Sequence, residues 1–63
     1  MEINPGDRIR VKTRFHTDTG KVQSAHNYGR DGQDDWYIEY ISDVYGACYV
    51  KQVLDRVISV EKI

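Results

Sequence analysis

The chain has 63 residues, 40% hydrophobic and 30% charged, with a net charge of −1. That length holds one domain, expected to be residues 1–63, and the near-neutral balance argues against a binder that grips polyanions by bulk positive charge. A single cysteine, Cys48, excludes an intrachain disulfide framework and points to a reducing compartment.

The opening Met1-Glu2-Ile3-Asn4-Pro5 is acidic and lacks the apolar run of a signal segment. No apolar stretch is long enough to span a membrane, so the expected location is the cytoplasm. Pro5-Gly6-Asp7 is a turn signal. Arg8-Ile9-Arg10-Val11-Lys12 follows, with two apolar residues interleaved among three cations. Side chains alternate in a strand, so Ile9 and Val11 are expected inside and Arg8, Arg10 and Lys12 in water. Asp18-Thr19-Gly20 reads as the next turn, and a short strand over Lys21 to His26 follows it, with Val22 in the core.

Asn27 to Asp35 holds two glycines and three aspartates and reads as an exposed hairpin loop. Trp36-Tyr37-Ile38-Glu39-Tyr40-Ile41 is aromatic and β-branched, as suits a half-buried pleated surface. Glu39 marks the wet face, which places Trp36, Ile38 and Tyr40 in the core and Tyr37 and Ile41 outside. Ser42 to Gly46 is a turn, and Ala47 to Val50 a fourth strand. Val50, Val53, Leu54 and Val57 have helical spacing, yet the segment is rich in valine and isoleucine. The spacing predicts a single helical turn at about Lys51 to Asp55 and a closing strand from about Arg56 to Lys62; a full terminal helix is the alternative. Five short strands bury a core well by curling into a small barrel, which also hides their edges.

Pro5-Gly6-Asp7-Arg8-Ile9-Arg10-Val11 and the later Gly20-Lys21-Val22 resemble the opening of a KOW-type SH3-like barrel. Trp36 to Ile41 is similar to that family's third strand, and Val50 to Val60 to its closing turn and strand. The likeness covers most of the chain as a pattern. It departs from the family in its long acidic loop and its low overall charge. The resemblance implies an all-β, five-stranded SH3-like barrel that binds RNA, DNA or protein. Small barrels of this size also resemble proteins carried by phages and other mobile elements, which would make this one a regulator or inhibitor of a host protein.

Charge is polarised along the chain. Arg8 to Arg30 carries six basic residues and one acid, whereas Asp31 to Ile63 carries three basic and seven acidic ones. Arg8, Arg10, Lys12 and Arg14 form a cationic row able to meet successive phosphates; an ordinary solvated strand face is the bland alternative. Of the five tyrosines, Tyr28 is the first expected in the open, followed by Tyr37, Tyr45 and Tyr49. Exposed rings beside cations hold single-stranded nucleic acid, and protein interfaces favour the same residues. The candidate ligand-binding set is Arg8, Arg10, Lys12, Arg14, Tyr28, Arg30 and Tyr37. Asp31, Asp34 and Asp35 lack the ligand spacing of a calcium loop. His16, His26 and Cys48 are too few for structural zinc. No Gly-x-Ser-x-Gly, phosphate-cradling glycine loop or His-Glu-x-x-His is present, and little concave volume is expected for a substrate. The expectation is a non-catalytic module without cofactor, membrane or small-molecule substrate. A protein partner or self-association is weighed slightly ahead of nucleic acid.

Overall fold

Asn4-Pro5-Gly6-Asp7 closes a tight turn in which the Asp7 amide donates to the Asn4 carbonyl at 3.1 Å and Gly6 takes φ +93°. Proline fixes the first corner and only glycine takes the second without strain. The turn delivers the chain into β1 (Arg8–Lys12), followed by β2 (Thr17–Asn27), β3 (Trp36–Ser42), β4 (Gly46–Lys51) and β5 (Ser59–Lys62). The computed structural model describes residues 2–63; Met1, the first residue of the expected domain, lies outside them.

All pairings are antiparallel, in the order β4-β3-β2-β1-β5. Alternation puts one face inside. Ile9 and Val11 of β1, Val22 of β2, Trp36, Ile38 and Tyr40 of β3, Val50 of β4 and Val60 of β5 form a single core with Ile3. Ile9 and Ile38 are fully buried. Among the described residues no second layer covers the sheet, so burial of this kind requires it to curl over its own inner face. Two features of β2 supply the bend. The pairing of β2 with β3 slips between Val22 and Ser24, leaving Gln23 as a bulge. At Gly20 a Cβ would lie 2.3 Å from the Ile41 carbonyl oxygen, so the two backbones approach as only glycine permits.

The expected closed SH3-like barrel is not formed. β4 and β5 end the sheet as separate edges and do not pair with each other. A curled sheet with one dry and one wet face already buries the core, so closure is not needed to cover it. The helical turn at Lys51 to Asp55 is also corrected, as is the full helix. A single bond from the Asp55 amide to the Lys51 carbonyl is not propagated, and Arg56 leaves helical space at φ +53°. The next bonds run from the Arg56 amide to the Val53 carbonyl at 3.1 Å and from the Val57 amide to the Gln52 carbonyl at 2.9 Å, so no helical ladder continues. Val53 and Leu54, whose spacing suggested a buried helical stripe, are 61% and 70% exposed. The last strand begins at Ser59 and not near Arg56.

Asp18-Thr19-Gly20, read as a turn, lies inside β2. The reversal occurs earlier, over Thr13 to His16, where the Thr13 amide donates to the His16 carbonyl at 2.9 Å. Asp18 is buried and accepts from the Tyr40 hydroxyl at 2.8 Å, the Ser42 hydroxyl at 2.8 Å and the Thr19 amide at 3.0 Å.

Candidate functional site

The wet face of the sheet carries the candidate site. Cross-strand register places His26 opposite Tyr37 and Tyr37 opposite Lys51, with Tyr49 one row further along β4. Alternation turns all four outward, and Tyr28 folds back from the loop to join them. The rings form a connected series: His26 to Tyr28 at 4.2 Å between centroids, Tyr28 to Tyr37 at 4.8 Å and Tyr37 to Tyr49 at 6.5 Å. Neighbouring rings are tilted or edge-on, so they do not cover one another face to face. Tyr28 and Tyr49 are 58% and 52% exposed. The Lys51 ammonium sits over both Tyr37 and Tyr49, at 5.8 and 5.6 Å from their centroids.

The loop that presents Tyr28 is held by its own polar groups. Asn27 Oδ1 accepts from the Gly29 and Asp35 amides at 2.8 and 2.9 Å, and Asn27 Nδ2 donates to Asp34 at 3.0 Å. Asp31 and Gly32 both take positive φ, at 55° and 81°, as a hairpin tip requires. Beside this loop lies an open cleft of about 420 Å³, lined by Tyr28, Arg30, Asp34, Asp35 and Val53 among others. It is larger than the concavity expected from so short a chain. Among the described residues no three His, Cys, Asp or Glu side chains gather as metal ligands.

The cations predicted to act as a row have different surroundings. Arg8 forms a two-pronged pair with Asp43, Nη1 to Oδ1 at 2.9 Å and Nη2 to Oδ2 at 2.5 Å. The Thr19 hydroxyl donates to the same carboxylate at 2.7 Å. These hydrogen bonds, Arg8's first, hold the Asp43 carboxyl down at about 2 and keep the Arg8 guanidinium above its ordinary value. Arg10 faces Glu61 at 3.6 Å. Lys12 forms no ion pair among the described residues. Arg14, in the turn after β1, lies over the ring of Phe15 at 5.4 Å. Arg30 lies in the loop beyond Tyr28.

The predicted residues therefore fall in two places. Tyr28 and Tyr37 belong to the ring cluster, with Arg30 in the adjoining loop, while Arg8, Arg10 and Lys12 stand on β1. The register sets Arg8 against Lys21, five residues along β2 from His26, a span of about 16 Å. Sequence reasoning missed His26 and Lys51. Period-two counting extended by one residue at the end of β4 would have found Lys51, which was assigned to a helical turn. The exposed aromatic cluster and the basic residues of β1 make a surface consistent with binding nucleic acid or protein.

No protein-family model, curated protein or solved structure matches this chain. The resemblance to KOW-type SH3-like barrels is corrected on the open sheet and on the lack of any such match. The phage or mobile-element origin drawn from it is withdrawn with it. What stands is a small all-β domain built on an open five-stranded sheet.

Proposed function

We propose that the chain is a non-catalytic binding module whose ring-bearing face takes single-stranded nucleic acid. The observation that carries this reading is the series His26, Tyr28, Tyr37 and Tyr49 on one wet face, with the Lys51 ammonium among the rings. Unpaired bases stack on such rings without regard to sequence, while a neighbouring cation meets the phosphate between them. A duplex hides its base faces and offers the rings nothing. Arg30 supplies further charge in the loop beside the rings and Lys21 further along the same wet face, and neither forms an ion pair among the described residues. Arg8 and Arg10 already hold carboxylates, so a phosphate would have to displace Asp43 or Glu61 to reach them.

Fluorescence anisotropy with labelled oligouridylate, oligodeoxythymidylate and a duplex of equal length tests the reading. The single strands are expected to bind at low salt and the duplex weakly. Tyr37→Ala and Tyr49→Ala should each weaken binding roughly 5- to 150-fold, the loss of one stacked base. Tyr49→Phe should stay close to the parent, since the ring and not the hydroxyl does the stacking. No binding at low salt, or alanine variants that bind like the parent, would overturn it.

A further inference from the structure

We infer that the free edge of β4 pairs with the same edge of a second copy, in an antiparallel register with its two-fold axis at Cys48. This rests on the backbone and holds whether or not the rings take nucleic acid. The bond from the Gln52 amide to the Trp36 carbonyl, at 2.8 Å, fixes the alternation along the β3–β4 ladder. Ile38, Tyr40 and Ser42 of β3 face Val50, Cys48 and Gly46 at the hydrogen-bonded positions, while the Trp36 amide donates to Gln52 Oε1. Ala47, Tyr49 and Lys51 therefore direct their amides and carbonyls away from the sheet. Lys51 is already closed off: its amide donates to Asp55 Oδ2 and its carbonyl accepts from the Asp55 amide, both at 2.8 Å. Among the described residues nothing bonds to the backbone groups of Ala47 and Tyr49 on this side.

Two open residues spaced by two make a self-complementary edge. Ala47 of one copy opposite Tyr49 of the other, and the reverse, gives four reciprocal N–H···O=C bonds. A shift of two residues either way loses half of them or runs into the Asp55 cap. From Gly46 to Val50 the strand has no charged residue, so the edge lacks the cations by which strands ordinarily repel a copy. The register brings Lys51 towards the turn that precedes β4 in the other copy, where Tyr45 is exposed. Val44, Tyr45 and Tyr49, all exposed in the single chain, flank the seam. The other edge is guarded: β5 has four residues, and its Glu61 and Lys62 are held in ion pairs with Arg10 and Asp7.

The pairing brings Cys48 opposite its own copy at a non-hydrogen-bonded position, where Cα atoms stand about 4.5 Å apart, within disulfide range. This supplies a reporter. Sedimentation across micromolar to millimolar concentrations should show the mass shift from one chain to two. A mild oxidant that takes two electrons and two protons from the paired thiols should then join Cys48 to Cys48. Tyr49→Pro should return the chain to the single-chain mass and abolish the cross-link. Because the Tyr49 amide points outward, proline there removes no bond to β3, and circular dichroism checks that the sheet persists. Ala47→Lys, which adds an edge cation without touching the backbone, should do the same. A chain that stays single at every concentration, a dimer that survives both folded variants, or a dimer without the Cys48 cross-link would overturn the inference. So would a chain that pairs only with another protein's strand.

Discussion

Asp18 shows how one side chain can reverse its expected role. Its carboxylate holds two hydroxyls, from Tyr40 and Ser42, at a buried position. Burial first, and Asp18 next, push the Tyr40 hydroxyl well above its ordinary range. Asp18→Ala should strand both hydroxyls, at about 1–3 kcal/mol each. Tyr40→Phe, which removes one donor and keeps the ring, should cost less. Urea unfolding of the two variants beside the parent measures the difference. The partners of Asp18 lie 22 and 24 residues away, so nothing in Asp18-Thr19-Gly20 itself distinguishes this segment from a turn. Gly20 was equally opaque: it serves the close approach of Ile41, not a chain reversal. Gly20→Ala should therefore cost at least the ~1–3 kcal/mol of overpacking, read in the same unfolding experiment.

Among elements, β1 and β3 were legible because one face is apolar and the other charged or polar, and the burial of both strands alternates accordingly. The segment before β5 was not, since its apolar spacing fits a helix while the one bond from Asp55 back to Lys51 is not followed by another of the same span and Arg56 turns at φ +53°. Contacts between elements were also hidden. The turn between β3 and β4 is fastened to β1 and β2 by Asp43, through Arg8 and Thr19. With the Asp43 carboxyl lowered from 3.8 to about 2 on folding, the unfolded chain binds the proton more readily. The link is thus fully present above about pH 4 and is lost as pH falls towards 2. Asp43→Asn should lower the thermal midpoint near neutral pH. The gap from the parent should close as the titration passes through that acid window, followed by circular dichroism.

Over the whole molecule, the charge polarity of the sequence is largely folded away. The basic first strand lies between β2 and β5, and acids from the later half come back to it at Asp43 and Glu61. The candidate site was for that reason only half legible: composition announced rings and cations, but pairing decided which cations stay free. Of the cations on or beside this wet face without an ion pair among the described residues, Lys21, Arg30 and Lys51 stand nearer the rings than Lys12, which pairs at the far end of β2. Three phosphate contacts on a single strand give a slope of about −2 in log affinity against log salt concentration. Anisotropy titrations at graded salt should return that shallow slope, and Lys51→Ala should reduce it by about one contact. The placement of the aromatic residues has an optical consequence as well. The lone tryptophan, Trp36, is 6% exposed, and its indole N–H has no acceptor among the described residues. The tyrosines of the candidate site lie on the opposite face. Indole emission should therefore redden when the chain unfolds and stay constant when a ligand settles on the tyrosines, so one cuvette separates stability from occupancy without an attached dye.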